Sequence, residues 1–226
     1  SCAGLTVRLF FIGFRITLML EIKDGAITVG GKQLFRGLSF CTADGGLTAV
    51  TGPHGCGKTS LIRAFLGFQP LTSGYVSVDC EAILPLTAAL FRANMLYVPQ
   101  DLRLCVGSFS ELFESLTDLR VNTDLTYARK KLFYEWKRLA LDVALYDKPL
   151  EETGESALRR MMISVAGVVD RKNILLDEPF AGLNSEAQSA VMAYLRSLAS
   201  SGHTVLLATG DAALAGMCDR KIELGV

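Results

Sequence analysis

Apolar positions along this chain follow two rhythms in turn. Short strand-like runs open it at Leu20–Ile22, Ala26–Val29 and Leu38–Cys41, and Gly30-Gly31 between the last two is a hairpin signal. Leu47–Thr51 reads as a buried strand that runs into a glycine-rich loop. Behind it Leu61, Ile62, Phe65 and Leu66 recur at helical spacing until Gly67. Tyr75–Val78 and Leu96–Val98 add further strands. From Ser108 to about Val169 the rhythm turns helical, with Leu125, Ala128, Leu132, Trp136, Leu139 and Val143 in one stripe. Arg129, Lys130, Lys131, Lys137 and Arg138 fall mostly on other faces and read as a solvated surface. Ile174–Leu176 has the continuous apolar character of a strand buried on both sides. Ser185 with Gln188 forms a capping-box signature for a helix that carries Val191, Leu195 and Leu198 to Gly202. Thr204–Thr209 and Lys221–Leu224 complete the strands. Strand–helix alternation around a mostly parallel sheet, interrupted by a helical insert, predicts an α/β fold.

Composition narrows the function classes. Half of the 226 residues are hydrophobic and 20% are charged, which excludes intrinsic disorder. Charges cancel at 23 against 23, so bulk basic charge supplies no nucleic-acid affinity and no nucleic-acid partner is expected. Six cysteines without a CxxC pair read as reduced thiols, neither a disulfide scaffold nor a zinc site. Leu5 to Leu20 is apolar, but Arg8 and Arg15 interrupt it before a membrane span is reached. Met19-Leu20-Glu21-Ile22 reads as a domain start. Residues 1–18 are then an extension outside the fold, and 19–226 the domain, with its helical part at about 107–168.

The chemistry lies in two segments. Gly52-Pro53-His54-Gly55-Cys56-Gly57-Lys58-Thr59 matches G-x-x-x-x-G-K-[ST] at every fixed position, between an apolar strand and an amphipathic helix. In such a loop backbone N–H groups wrap phosphate oxygens and the helix N-terminus adds its positive dipole end. Lys58 reaches the β/γ-phosphates there, Thr59 ligates Mg²⁺, and Ser60 offers a hydroxyl near the α-phosphate. Cys56, at that helix N-terminus, is expected to react with alkylating reagents, because such a position favours the thiolate. The second segment, Ile174–Leu176 followed by Asp177-Glu178, is a strand ending in two carboxylates. Asp177 can hold Mg²⁺ through water, and Glu178 can polarise the attacking water. No N-K-x-D guanine-reading motif occurs, which disfavours a GTPase.

With these motifs in order, the chain resembles the ATP-binding cassette (ABC) ATPases over residues 20–226. Gly52–Ser60 matches their Walker A segment, Tyr97-Val98-Pro99-Gln100 the Q-loop, Ile174–Pro179 Walker B, and Phe180–Asn184 the D-loop. Leu71-Thr72-Ser73-Gly74 fits their turn after the first helix. The resemblance implies a P-loop NTPase fold with a RecA-like parallel sheet, an N-terminal antiparallel β subdomain and an inserted helical subdomain. It also implies ATP and Mg²⁺ as ligands, Gln100 at the Mg²⁺ or water, and hydrolysis coupled to a transmembrane permease. The chain would then act as a homodimer or heterodimer of cassettes, cytoplasmic and peripheral on the inner face of the membrane.

Three departures qualify this. Val29 stands where the family stacks an aromatic on adenine, with Phe35 as a displaced substitute. The family's LSGGQ signature is replaced by Thr153-Gly154-Glu155-Ser156-Ala157, where Glu155 has the wrong sign for gripping a partner's γ-phosphate. The repulsion of one unit charge pair at ~4 Å in a partly screened site is about 4 kcal/mol. Gly210 occupies the place of the switch histidine. The expectation is a slow ATPase. The alternatives are an ATP-binding regulatory subunit with little hydrolysis, or a decayed copy of an active cassette.

Overall fold

The computed structural model describes residues 19–104, 106–118, 124–169 and 171–225; the expected extension 1–18 lies outside them. The first two strand runs merge into one strand, β1 (Leu20–Val29), whose bulges between Ile22 and Thr28 hid its continuity in the sequence pattern. β1 pairs antiparallel with β2 (Lys32–Cys41) across a two-residue turn. Both turn glycines have positive φ, 56° at Gly30 and 78° at Gly31, as the tightest hairpin turn requires. β4 (Ser73–Val78) joins the other edge of β1, and the two-residue β5 (Glu81–Ala82) closes this sheet.

The second sheet is parallel, in the order β6-β7-β8-β3-β9. Its strands are β3 (Leu47–Thr51), β6 (Met95–Val98), β7 (Asn173–Asp177), β8 (Thr204–Thr209) and β9 (Arg220–Glu223). Both neighbours of β3 come from far downstream, β8 on one side and β9 on the other. The sheet's central strands β3, β7 and β8 are buried on both faces, and alternate residues serve two cores. Ile174, Leu176 and Leu207 face one with the helical insert, while Leu175, Leu206 and Val50 face the other with the antiparallel sheet and α1 (Lys58–Phe65).

After α2 (Ala88–Arg92), the insert is built from α3 (Phe109–Asp118), α4 (Leu125–Arg138) and α5 (Glu155–Ser164). Trp136 is fully buried there, with Phe109 and Phe133 rings at 5.5 and 5.7 Å. The predicted stripe holds at Ala128, Leu132, Trp136 and Leu139, whereas Leu125 and Val143 are exposed. Leu125 is the first helical residue, and Val143 falls in a separate 3₁₀ turn beyond the left-handed residue Ala140. The five basic residues are exposed, but Arg138 also pairs with buried Glu135 at 2.8 Å and covers the Tyr194 ring.

α6 (Ser185–Ser200) and α7 (Ala212–Gly216) finish the fold. The cap of α6 differs from the expected box. Asn184 is its N-cap, with extended dihedrals and a side chain that accepts from the Ala187 N–H, so Ser185 is already helical. Gln188 donates instead to the Leu183 carbonyl.

Candidate nucleotide-binding site

Four loops meet at the carboxyl ends of adjacent parallel strands: Gly52–Gly57 after β3, Gln100 after β6, Glu178 after β7 and Gly210 after β8. That edge of an open α/β sheet is where ligands bind. The loop after β3 needs its glycines for space as well as torsion. A Cβ on Gly52 would sit 2.5 Å from the Leu224 carbonyl oxygen, and one on Gly57 3.0 Å from Leu34 and Phe35. Gly57 caps α1 in the left-handed region, and no side chain accepts the first-turn N–H groups. An uncapped, positively polarised helix end is thereby left facing the cavity.

A cavity of about 390 Å³ opens in front of this helix end. Val29, Lys32 and Leu34 line it from the hairpin; His54, Gly55 and Gly57–Ser60 line it from the loop; Gln100 and Glu178 line it from the parallel sheet. Of the predicted site residues, these share one space. Gly52, Pro53 and Cys56 lie behind, shaping the loop: the Cys56 N–H donates to the Pro53 carbonyl. The expectation of a reactive Cys56 thiol is corrected here. Its side chain is 7% exposed and packs into the core beside Leu224, so the helix end presents backbone rather than sulfur to the cavity. Phe35 is likewise buried beneath Gly57, which leaves Val29, 49% exposed, and Leu34 as the apolar side chains lining the cavity.

Lys58 Nζ donates to the carbonyls of Gly52 (2.9 Å) and Pro53 (3.3 Å) and lies 3.7 Å from Glu178 Oε1. Asp177 is buried at the end of β7 with the Thr59 hydroxyl close by, but no donor meets either carboxylate oxygen with hydrogen-bond geometry. Burial pushes its carboxyl above the usual range, and neighbouring Glu178 adds to this; the Thr59 hydroxyl, Arg63 and Lys58 act the other way. A divalent cation between Thr59 and Asp177 would supply the charge and ligation that this orphaned carboxylate lacks. The residues present therefore fit Mg²⁺.

Glu178 has left-handed backbone torsion (φ 49°). Its N–H donates to the Ala208 carbonyl at 2.8 Å, and its Oε2 accepts from the Gly210 N–H at 3.2 Å. A main-chain donor thus stands where the sequence comparison missed a histidine.

The Thr153–Ala157 segment is the N-terminus of α5, with Gly154 as its cap. Thr153 turns inward, and its hydroxyl donates to the Pro149 carbonyl. Glu155 is not the bare opposing charge expected from the sequence, because Arg159 Nη2 pairs with its Oε1 at 3.0 Å. Arg159 is a residue the motif reading missed. A Glu–Arg pair four apart on a helix was the available signal. Lys32 was missed as well, since only the hairpin's position over the loop brings it to the cavity.

A family model described as ABC transporter matches residues 35–181. The chain is 29% identical over 226 residues to the Nod factor export ATP-binding protein I of Rhizobium meliloti, covering 98% of this chain and 66% of that protein. It is 27% identical to the manganese transport system ATP-binding protein MntA of Synechocystis, over 92% of this chain and 81% of that protein. The chain thus spans about two thirds of the Rhizobium protein's own length. A dimeric bacterial ABC transporter cassette superposes with TM-score 0.80 at 20% identity, over 91% of this chain and 94% of that one. That last likeness concerns the fold.

Proposed function

The chain belongs to the ABC transporter family, as an ATP-binding domain, and from that premise we propose that it binds Mg-ATP in the cavity above Gly52–Ser60 and hydrolyses it slowly. One observation carries the reading: an uncapped helix end, the Lys58 ammonium, the Thr59 hydroxyl and Glu178 line one cavity, and the unpaired carboxylate of Asp177 is buried next in the chain to Glu178. The first-turn N–H groups of α1 and Lys58 bind phosphate oxygens. Thr59 and Asp177 hold Mg²⁺, which when bound neutralises charge on those oxygens. Gln100, which lines the same cavity, would stand at the Mg²⁺ or the attacking water.

Lys58 leaves Glu178 as it takes up phosphate, and Glu178 is then free to accept a proton from the attacking water. The Gly210 N–H retains the carboxylate in place during that exchange. On this reading the chain works as a homodimer or heterodimer of cassettes beneath a transmembrane permease, on the cytoplasmic face of the membrane. A second reading, ATP binding with little turnover, is favoured by one feature. The α5 end opens with Glu155, where the family presents glycines.

Steady-state phosphate release separates the two. Wild type should release phosphate slowly, and Glu178→Gln should lower the rate by roughly 10²-fold or more while Mg-ATP still binds. Equal release from both proteins would sink the hydrolytic reading and leave a binding role.

A further inference from the structure

Among the described residues, three buried side chains carry polar atoms that no hydrogen-bond partner meets: Arg159, Asp177 and Asn173. Asp177 belongs to the nucleotide site. Arg159 lacks a partner only at Nε, its other donors meeting Glu155 and the carbonyls of Gln100 and Glu178. Asn173 is different. It is fully buried, and both the oxygen and the nitrogen of its carboxamide are unmet. An amide buried in that condition is costly unless something else completes it.

The strand decides where the amide points. Side chains alternate along β7, and Leu175 faces α1 and the antiparallel sheet. Asn173 and Asp177 share its side, one at the amino end of the strand and the other at the carboxyl end. At the amino end lies a second cavity, of about 220 Å³, lined by Val78, Asp79, Glu81, Phe91, Asn94 and Asn173. It has no residue in common with the nucleotide cavity.

Its walls are acidic. The turn Asp79-Cys80 joins β4 to β5 with both residues in left-handed torsion, φ 51° and 65°. Asp79 is fixed there through Met19: its N–H donates to the Met19 carbonyl, and its Oδ1 accepts from the Met19 N–H at 2.9 Å. Burial pushes the Asp79 carboxyl above the usual range, against the effect of the Met19 N–H. The charged groups that act on it, Asp44 and Glu81, are carboxylates and raise it further. Asn173 and Val78 are buried, Asp79 is half-buried, and Glu81 and Asn94 are exposed. The carboxylates therefore stand toward the mouth, and the amide is at the floor.

These groups define what would fill the space. A carboxamide offers an acceptor and an N–H₂ donor side by side, and another amide answers both at once. A metal ion would leave the N–H₂ unmet, and no cluster of three or more His, Cys, Asp or Glu ligands gathers among the described residues. Two carboxylates at the mouth call for a cation with N–H donors. We propose that this cavity binds a small primary ammonium ion carrying a terminal carboxamide, its amide paired with Asn173 and its ammonium held by Asp79 and Glu81. The amide end enters first, so the amino end of a peptide, whose chain runs on past its first amide, does not fit. The proposal is independent of the Mg-ATP reading.

Glycinamide is the probe, titrated into the isotope-labelled full chain and followed by amide NMR at about pH 6.5, where its amine is mostly protonated. Ethylamine, acetamide and glycine are titrated beside it at the same ionic strength. The side-chain N–H₂ signal of Asn173, identified by its loss in Asn173→Leu, should shift saturably with glycinamide. Ethylamine and acetamide each carry half of the complement and should bind at least about tenfold more weakly. Glycine, with a carboxylate in place of the amide, should bind no better than these. Asn173→Leu should abolish the saturable shifts of the Glu81 and Asn94 backbone signals. Glu81→Gln, an exposed change that keeps the melting temperature, should weaken binding about tenfold.

An Asn173 signal that glycinamide does not saturate would overturn the proposal, as would acetamide binding as tightly as glycinamide. Undiminished binding in Asn173→Leu would do the same. Should that variant fail to fold, Glu81→Gln decides, and binding there at wild-type strength overturns the assignment. A saturable shift with calcium chloride that glycinamide reverses would reassign the cavity to a metal ion and also overturn it.

Discussion

The loop after β3 and the N-terminus of α5 are both helix entries on a glycine with no side-chain cap, yet the side chains around them are finished differently. Around the loop a buried charged side chain is left open: neither oxygen of Asp177 has a hydrogen-bond partner. At α5, most polar side-chain groups are consumed internally, with Arg159 Nε left without a partner. Thr153 bonds to Pro149, Glu155 to Arg159, and Arg160 to the carbonyls of Ser156, Leu139 and Ala140. Unsatisfied buried groups are expensive in a free protein and persist where a ligand completes them. The contrast therefore teaches that the loop is shaped for something absent from the chain itself, while the α5 entry is shaped for the chain's own contacts.

The sharpest test of that contrast is a pair of variants in one binding assay. Lys58→Ala should weaken Mg-ATP binding by about 1.5–3 kcal/mol, the worth of hydrogen bonds to a charged group, whereas Glu155→Gln should leave calorimetric affinity unchanged. Comparable losses in both would break the comparison. A tenfold-scale effect is expected at the cavity rim. Replacing Val29 by Tyr should tighten ATP binding by ~1–3 kcal/mol if the base lies against it, and wild type should bind ATP and GTP almost equally.

Asp177 gives the smallest effect and the most specific sign. Its carboxyl is held above the usual range in the folded chain, so the fold binds that proton more tightly than the unfolded chain does. The associated stability is complete at low pH and is lost as pH rises through the raised folded value. Asp177→Asn removes that loss. Thermal melts at pH 7 without Mg²⁺ should therefore show the variant melting higher, by roughly 2–4 °C for each kcal/mol relieved, and Mg-ATP should raise only the wild type. A lower melting temperature in the variant would mean that the carboxylate is already compensated.

The centre of the parallel sheet was legible in the sequence because its strands are largely apolar runs, and Leu47–Thr51 and Thr204–Thr209 fall at their predicted bounds. The phosphate loop and the carboxylate pair were legible through fixed spacing, and the fold brings Lys58 and Glu178 within 3.7 Å. What stayed hidden depends on facts outside any local window. β1 reads as two strands because bulges break its alternation. Cys56 reads as a cavity residue because a motif states positions and not side-chain directions. The partners of Arg159 are carbonyls, which leave no trace in residue identity. The amide of Gly210 escaped for the same reason, since the loss of a side chain is visible and the gain of a backbone donor is not.

The placement of β3 between β8 and β9 also bears on how the chain acquires its fold. As residues emerge from the N-terminal end, Leu47–Thr51 is synthesised early, but both of its ladder partners lie within residues 204–223. Pairing across such sequence separation closes long loops and is slow. Until it occurs, a strand that is fully buried in the finished fold has both edges open and is exposed to association with other nascent chains. The segment made early is thus secured late, and an arrest of synthesis before residue 204 would leave a strand with neither neighbour.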